Sequence, residues 1–528
     1  MMRELSTFRI WGLRGLTVIG GAVWMVALIV VFAYVLAHPI DLASADLGRH
    51  LENGRQAVAW LFKGGSGQFL HANTYSYTAP GFAVPNHHWA SGMLFWIVYG
   101  MGGFTSLSVM YILLVLAGVW AAVVLATRAG GLRTALLVLP LFVPLIVYRD
   151  EVRPEVFSFV FVSVVALVCV RMRTAVRWWW LLGLLLLQIA WVNMHIYFFL
   201  APAVVAAFVV DAIWRKDKSQ VMLYGGLLLA QLGVSMLNPN GLWGVWYPFT
   251  IFQNYGYRVL ENQTVWFLWN YGIHTAAFWV LGVVVLTVAL VVGVGVVRRA
   301  TMPVWSVCLA LGGITLGLFA VRNVALTAVL VLPLLAWGAE TTLRWMARRG
   351  YQMVPVWTLA GIIVVAIPFF ALYPTERLVV HGLGAGAGTT GVGEFLRTTK
   401  IQGPLFNNYD VGGLLIFAGY PQVRVFVDNR PEAYPKEFFS DVYIPMQEQT
   451  QAFAQMDAKY IFSAIVFNYH DATPWAQTFL QRILQDPQWV PVYVDGEVLV
   501  LVRDVPQHTA VIAQYALPRS LFHFTSSQ

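Results

Sequence analysis

The first residues that could carry chemistry are Asp46 and His50, four positions apart in a chain with few charges. On a helix, this spacing places both side chains on one face. A carboxylate beside an imidazole can take a proton from a hydroxyl nucleophile, and the same groups can ligate a divalent metal. The alternative interpretation is an ordinary solvated loop in which Asp46 caps a helix. The same loop also carries Asn86, His87 and His88, and this grouping of polar residues favours a catalytic cleft.

Two arginines four positions apart, Arg149 and Arg153, stand in a short charged turn. Two guanidinium groups can hold a phosphate or diphosphate through bidentate hydrogen bonds. The turn also carries Asp150 and Glu155, so pairing of these charges among themselves is an equally good interpretation. The sequence leaves both readings open.

Other polar candidates stand at the ends of apolar runs or strands. His195 ends one run and Arg322 follows another, and polar groups at membrane depth usually face a cavity or a partner. A satisfied structural histidine is the simpler interpretation of His195. Glu261 belongs to an aromatic stretch, 243–269, that can lie flat at the membrane interface and contact lipid. Asp428-x-Arg430 follows a predicted strand, where a ligand site and a turn salt bridge are both reasonable.

The composition indicates which elements must position these residues. The chain is 59% hydrophobic and 11% charged, with a mean hydropathy of +0.67, unlike a soluble globular protein. Apolar runs bounded by arginines recur from residue 16 to residue 373, and each can cross a hydrocarbon core of ~30 Å. They predict an α-helical polytopic membrane domain over 1–373, with about eleven transmembrane helices. The first run, 16–37, is too long for a signal-peptide core and is interpreted as a retained helix.

The cations predict the orientation. Arg3, Arg9 and Arg14 precede the first run, and the later clusters fall in alternate short connections, which places the N-terminus inside and the C-terminus outside. The polar candidates, including the first outer loop 38–89, then share the outer face. The runs 134–148 and 155–170 form a tight hairpin. We predict a location in the bacterial inner (plasma) membrane and no nucleic-acid partner, since topology explains the pI near 9.4.

From Pro374 onward the composition is that of a soluble domain. A glycine-rich segment, 382–393, joins it to the membrane domain. The apolar patterns predict an extracytoplasmic α/β domain over 374–528, packed on the membrane domain. The predicted strands are 414–417, 423–427, 464–467, 492–494 and 498–502, and the predicted helices are 392–399 and 476–485.

The first outer loop contains Asp46-Leu-Gly-Arg-His50-Leu-Glu-Asn-Gly54. This segment resembles the Asp-x-x-x-His-Leu-x-x-Gly pattern in the first loop of the uncharacterised prokaryotic branch of the GT-C superfamily of membrane glycosyltransferases. Gly48 and Arg49 stand where the family usually has tryptophans. The later matching segments are Tyr77-Thr-Ala-Pro-Gly81, Asn86-His-His-Trp89, Arg153-Pro-Glu155, Asn193-Met-His195, Asn238-Pro-Asn-Gly241, Arg322-Asn323, Gly412-Gly413 and Val427-Asp428-x-Arg430.

The resemblance implies transfer of a sugar from a polyprenyl-phosphate donor to a hydroxyl of a glycan, lipid or protein, with membrane lipids as further partners. Asp46 is the expected general base, with His50 or His87 orienting it. The expected substrate-binding residues are Arg149, Asp150, Arg153, Glu155, His195, Glu261, Arg322, Asp428 and Arg430.

No cofactor is required by this reading, because fixed arginines can neutralise the leaving phosphate. A divalent ion, Mg²⁺ or Mn²⁺, held by Asp46, Asp150 and a histidine stays open as an alternative. Two other classes of protein also stay open. A scaffold explains the outer domain but not the Asp46 group, and a transporter of lipid-linked precursors needs an inner gate that the short basic loops do not line.

Overall fold

The structure is a computed structural model that describes residues 23–43, 46–251, 255–350, 381–386, 390–401 and 403–522. Residues 1–22 and 351–380 therefore lie outside the described part of the chain. They contain the start of the first predicted run, the three N-terminal arginines and the predicted domain boundary. The inside position of the N-terminus stays a prediction for that reason.

The described part up to residue 350 is helical. Five helices are long and apolar enough to cross a membrane, and four further apolar helices are shorter. In chain order the helices are α1 (Val23–Leu36), α2 (Leu47–Lys63), α3 (Trp89–Thr127), α4 (Leu132–Ile146), α5 (Glu155–Met172), α6 (Trp178–Met194), α7 (Ile196–Trp214), α8 (Lys218–Val234), α9 (Gly241–Trp246), α10 (Val265–Asn270), α11 (Ala276–Val297), α12 (Val304–Phe319) and α13 (Val321–Arg348).

The five long helices are α3, α5, α7, α11 and α13, so the protein is a multi-pass membrane protein. Helices α4 and α5 flank the charged turn 147–154, as predicted, but α4 packs on α3 and α13 rather than on α5, so a tight hairpin is not confirmed. Pro140 and Pro144 interrupt α4 because each lacks the N–H that a helix needs. The number of spans and their orientation stay predictions.

The first outer loop contains the helix α2, which packs tightly on α3. A Cβ atom added to Gly54 would lie 2.0 Å from the carbonyl oxygen of Gly92. Only a glycine at position 54 permits this approach of α2 to α3. The contact fixes the N-terminal end of α2, which carries Asp46 and His50, against the end of a long apolar helix.

The C-terminal part is a small α/β domain, as predicted. Its sheet has the order β1-β2-β4-β3, in which β1 is parallel to β2 and the other pairs are antiparallel. The elements are α14 (Gly391–Thr399), β1 (Leu405–Asn407), α15 (Gly412–Gly419), α16 (Ile444–Glu448), α17 (Thr450–Tyr460), β2 (Ala464–Asn468), α18 (Pro474–Ile483), β3 (Trp489–Val494), β4 (Val498–Arg503) and α19 (Thr509–Tyr515).

Two of the predicted strands are wrong. Residues 414–417 lie within α15, because a short buried apolar run has the same pattern in a helix and in a strand. Residues 423–427 pair only through one isolated bridge, from Val425 to Ser76 of the first outer loop. The predictions for 464–467, 492–494 and 498–502 and for both helices are confirmed.

The C-terminal domain docks on the first outer loop through backbone hydrogen bonds. Val425 N donates to Tyr75 O at 3.1 Å, and Tyr77 N donates to Val425 O at 3.2 Å. A Cβ atom added to Gly48 of α2 would lie 2.4 Å from the carbonyl oxygen of Gly413 in α15. The domain therefore lies directly above the helix that begins after Asp46.

The segment that enters the domain is also anchored to the membrane helices. Ile40 N donates to Gly384 O at 2.8 Å, and Gly386 N donates to Ile40 O at 2.8 Å. Gly384 N donates to the Ser108 hydroxyl of α3 at 3.0 Å. The described end of this connection is therefore held between the first loop and α3.

Candidate active site

A cavity of about 870 Å³ lies between the first outer loop, the ends of the long helices and the C-terminal domain. It collects residues that are far apart in the sequence. Ten of the predicted site residues line it: Asp46, His50, His87, Arg149, Arg153, Glu155, His195, Glu261, Arg322 and Arg430.

Asp46 stands immediately before α2, and Asp46 and His50 share a face, as the spacing predicts. Asp46 Oδ2 accepts a hydrogen bond from Arg49 at 2.8 Å and lies 3.3 Å from His50 Nε2. Asp46 Oδ1 is buried, and it has no hydrogen-bond partner among the described residues. Burial raises the pKa of Asp46, but Arg153, His50 and Arg49 together hold it well below its usual value. The carboxylate is therefore ionised, with one oxygen able to accept a proton.

Four imidazoles form a cluster beside this carboxylate. The ring of His88 lies 5.1 Å from His50, 4.0 Å from His87 and 5.3 Å from His195. Burial, with Arg49 adding to the effect, lowers the pKa of His50 to about 4. Burial also lowers the pKa of His87 to about 3. Both rings are therefore neutral at pH 7.

His195 has the partner expected of a structural histidine. Its Nδ1 lies 2.7 Å from the hydroxyl of Ser158, which also accepts a hydrogen bond from the indole of Trp191 at 2.7 Å. The ring also lines the cavity. These contacts fit a structural histidine, the simpler of the two sequence interpretations. Because the ring also lines the cavity, it is still able to contact a substrate.

Glu261 is the carboxylate around which the cavity arginines gather. Its Oε2 accepts from Arg149 at 2.9 Å and from Arg153 at 2.8 Å, and its Oε1 lies 3.7 Å from Arg322. Burial raises the pKa of Glu261, but Arg153, Arg149 and Arg322 outweigh it and lower the pKa to about 2. Residues of three separate loops thus meet at one carboxylate.

The remaining contacts of the charged turn are ion pairs, which fits the interpretation that its charges pair among themselves; phosphate binding stays a prediction. Arg149 donates from Nε to Glu155 Oε1 at 2.7 Å, so part of the turn does pair internally. Arg153 Nε lies 2.5 Å from Glu151 and 3.7 Å from Asp46 Oδ1. The two arginines therefore connect the turn to Glu261 and to the first outer loop.

Arg322 has spare hydrogen-bonding capacity. Its Nη1 donates to Asn262 at 2.7 Å, whereas its buried Nε has no partner among the residues that the structure describes. Arg149 and Arg322 also line a second, apolar cavity between α3, α4, α5 and α13. The other residues of that cavity are Tyr111, Val115, Ile146, Glu155, Val156, Phe159, Tyr197, Ala325 and Leu326. The two cavities therefore share Arg149, Glu155 and Arg322 in their walls, and the second is small, about 30 Å³.

Two predicted site residues do not line the main cavity. Asp150 faces His38, 3.4 Å away, in a separate cavity of about 150 Å³. Asp428 is fully buried and holds Arg430 by hydrogen bonds of 2.9 and 2.8 Å. Arg430 also donates to Asn73 of the first outer loop at 3.1 Å. The turn salt bridge is the interpretation that these contacts fit.

Several cavity residues were not among the predicted ones. Arg49 and Glu151 had a signal, since each neighbours a predicted residue in a charged motif. His88 belongs to the same motif as His87. Tyr257, in the loop before α10, had none, and neither did Tyr409, Asp410, Glu432 and Trp475, because nothing in their spacing links the C-terminal domain to the membrane part.

The carboxylates of this site do not fit a divalent metal as they stand. Within the described residues, no three His, Cys, Asp or Glu side chains are grouped so that they could hold a metal ion. Asp46 and Glu261 are instead bonded to arginines, and Asp150 faces another cavity. We therefore propose a reaction without a metal ion.

No protein-family model and no curated protein matches the sequence. Solved structures do match the fold. AglB, the archaeal oligosaccharyltransferase of Archaeoglobus fulgidus, in complex with an inhibitory peptide and a dolichol-phosphate, matches with a TM-score of 0.61. The identity is 10%, over 90% of this chain and 74% of that one.

Two other structures of that archaeal enzyme also match. The form tethered to an acceptor peptide with the NVT sequon has a TM-score of 0.56, with 10% identity over 90% of this chain and 74% of that one. The complex with Zn and sulfate has a TM-score of 0.53, with 11% identity over 89% and 72%. The chain therefore shares its fold with these AglB structures.

Proposed function

We propose that this protein transfers a sugar from a polyprenyl-phosphate-linked donor to a hydroxyl acceptor. The observation that carries the proposal is one cavity with a free oxygen of an ionised Asp46 at one side and arginines at the other. Of these arginines, Arg149 follows the end of the apolar helix α4 and Arg322 stands in the first turn of the apolar helix α13. A donor with a charged phosphate and a hydrocarbon chain has the same two parts.

The donor phosphate binds at Arg322 and Arg149. Arg322 Nε is a buried N–H without a partner, and an unpaired buried donor is costly until a ligand accepts from it. Guanidinium groups suit phosphate oxygens because they donate two parallel hydrogen bonds. The hydrocarbon chain of the donor then lies along the apolar helices beside these arginines, and the cavity between α3, α5 and α13, about 30 Å³, must widen to take an isoprene unit. The dolichol-phosphate in the AglB complex supports a lipid phosphate as the ligand.

Asp46 is the general base. As the acceptor oxygen attacks the anomeric carbon of the donor sugar, its proton passes to Asp46 Oδ1. The bond between that carbon and the phosphate oxygen breaks, and polyprenyl phosphate leaves with the electron pair. The fixed positive charges stabilise this leaving group, so no strong general acid is needed. The neutral His50, 3.3 Å from Asp46 Oδ2, helps to orient the carboxylate.

The reaction takes place on the extracytoplasmic face of a bacterial inner membrane, with the C-terminal domain as one wall of the cavity. This placement rests on the clustering of cations in the short alternate loops. The shared fold with a protein solved in complex with a peptide that contains an acceptor sequon supports an acceptor site in the same region.

The test uses the full-length protein in lipid nanodiscs with a radiolabelled sugar on polyprenyl phosphate. Release of the label to water or to an added acceptor is expected for the wild type. The Asp46→Asn variant should lose about 10²- to 10⁴-fold in rate, the usual contribution of a general base. Asp150→Asn is the matched control, because Asp150 lies near the cavity but faces His38 instead. Equal rates for the wild type and Asp46→Asn, with both proteins folded, would remove the base assignment.

A further inference from the structure

The carboxyl groups of the main cavity fall into two classes. Asp46 and Glu261 stand among arginines, and their pKa values are lowered. Asp410 and Glu432, on the wall formed by the C-terminal domain, form no ion pair with any described residue. Burial and the nearby carboxylates Asp471 and Asp41 raise the pKa of Asp410 to about 7. Burial also raises the pKa of Glu432.

Aromatic rings stand beside these two carboxyl groups. Tyr257 stacks on Tyr409 with ring centroids 4.5 Å apart, and the ring of Trp475 lies 6.3 Å from that of Tyr257. All three line the cavity, as do Asp410 and Glu432. Apolar ring faces therefore line the same cavity as two carboxyl groups that have no ion-pair partner among the described residues.

Two buried polar atoms on this wall have no partner among the described residues. They are the indole Nε1 of Trp475, a donor, and Oδ1 of Asn429, an acceptor. Such atoms are costly to bury unless something bonds to them. The wall therefore offers one N–H, one amide oxygen and two carboxyl groups to a ligand.

We infer that this wall binds the acceptor, and that the acceptor is a neutral glycan whose sugar ring packs on Tyr257 and Trp475. The inference rests on the proposed transfer and names the class of acceptor for it. Neighbouring hydroxyls of one sugar ring donate to Asp410, Glu432 and Asn429, and one of them accepts from Trp475. The C–H face of the ring covers the aromatic side chains.

Two other acceptor chemistries fit this wall less well. An ammonium group can donate to the carboxyl groups, but it has no lone pair for the N–H of Trp475. A peptide main chain offers one N–H for each residue, spaced along the chain, whereas the acceptor atoms of this wall face one cavity. A polyol carries donors and lone pairs on one ring, the combination that these four groups require.

The binding test uses the full-length protein in nanodiscs without donor, observed by saturation-transfer-difference NMR. The probes are maltotriose, cellotriose and mannotriose, with tri-glucosamine as the cationic comparator and Asn-Val-Thr as the peptide comparator. At least one neutral trisaccharide should receive saturation, and its Kd should rise about five- to tenfold in Trp475→Phe and in Asp410→Asn. Trp475→Phe keeps an aromatic ring and removes only the N–H.

The matched controls are Trp178→Phe and Asp441→Asn, since both side chains are exposed and away from the cavity. Their trisaccharide affinity should equal that of the wild type. Binding of the peptide or of tri-glucosamine alone, or of no probe, overturns the inference, as does an unchanged affinity in both cavity variants.

Hydrolysis of the lipid donor in the absence of an acceptor is measured in parallel. This reaction needs the donor site and Asp46 but not the wall, so it should continue in Trp475→Phe and Asp410→Asn. Absence of hydrolysis in the wild type counts against the proposed function. Hydrolysis without the expected trisaccharide binding counts against the acceptor inference alone.

Discussion

Arg153 lies beside Asp46, with its Nε 3.7 Å from Asp46 Oδ1, although the two residues belong to different loops. Arg153 also donates to Glu261 at 2.8 Å. The same guanidinium thus contributes to the low pKa of the proposed base and is held by the carboxylate that gathers the arginines. This contact links the base to the phosphate-binding side of the cavity.

The first prediction concerns that contact. Arg153→Gln removes a positive charge that lowers the pKa of Asp46, so this pKa should rise. Because the base must be ionised, the acid limb of the rate profile should move to higher pH. Measuring kcat for sugar transfer between pH 4 and pH 8 checks this. The control is Arg344→Gln, because Arg344 is exposed and its ion pair is with Glu340. A slower enzyme with an unmoved acid limb would contradict the electrostatic role.

The second prediction concerns Arg322. Arg322→Gln removes the buried Nε–H without a partner and should raise KM for the lipid donor by about tenfold or more, as loss of a charge-assisted hydrogen bond implies. Arg322→Lys keeps the charge but lacks the planar pair of N–H donors, so its KM should lie between those of the wild type and Arg322→Gln. Steady-state kinetics at saturating acceptor separates KM from kcat. A KM that both substitutions leave unchanged would place the phosphate elsewhere.

The third prediction concerns Glu261. Glu261→Gln leaves Arg149 and Arg153 without their shared carboxylate, and breaking such a pair costs about 3 kcal/mol or more. Thermal unfolding should begin at a lower temperature. Inorganic phosphate should raise the Tm of this variant more than that of the wild type, compared with sodium chloride at equal ionic strength. Glu340→Gln, in an exposed pair, should show neither effect.

The fourth prediction concerns pH and stability. His50 and His87 have folded pKa values of about 4 and about 3, below their usual 6.5. Between these values the unfolded chain binds more protons, so the stabilisation is complete above pH 6.5 and is lost as the pH falls. Tm should therefore decline from pH 7 to pH 5, before Asp46 and Glu261 are protonated.

The control for this pH dependence is His50→Gln, which removes one titrating group next to Asp46, Arg49 and Arg153. Its Tm should depend less steeply on pH over the same interval. A slope identical to that of the wild type would show that His50 is not the group that titrates.

The fifth prediction concerns the contact between α2 and α15. Gly48→Ala places a methyl group 2.4 Å from the carbonyl oxygen of Gly413, and forced overpacking costs about 1–3 kcal/mol. The C-terminal domain should shift on α2, so Tm and transfer should both fall. Gly225→Ala in α8 is the control, because nothing lies within 4 Å of its added methyl group. Unchanged activity in Gly48→Ala would mean that the domain tolerates this displacement.

The sequence predicted the polar residues of the membrane half well. Asp46, His50, Arg149 and Arg153 lie in local motifs with a helical or turn spacing, and those motifs converge on one cavity. The position of Asp150 was not predictable, because the conformation of a short turn decides which of its neighbouring charges faces inward. The turn directs Asp150 to His38 instead.

The cavity residues of the C-terminal domain could not be predicted from the sequence, for another reason. Asp410, Glu432 and Trp475 come together through tertiary packing, and none stands in a spacing that chemistry requires. The prediction of a strand at 423–427 was wrong for a similar reason, since Val425 pairs only with the distant Ser76 of the first outer loop. Both failures have the same physical reason. An apolar run shows that a segment is buried, but it does not show which segment packs against it.

The anchored connection at Gly384 has a consequence for the motion of the C-terminal domain. Its hydrogen bonds to Ile40 and Ser108 tie the start of the C-terminal domain to both the first loop and α3. Swinging the domain away from α2 would break these bonds together with those between Val425 and the first loop. A C-terminal domain held by both sets of bonds should move together with the first outer loop, so the cavity between them should keep its shape in solution.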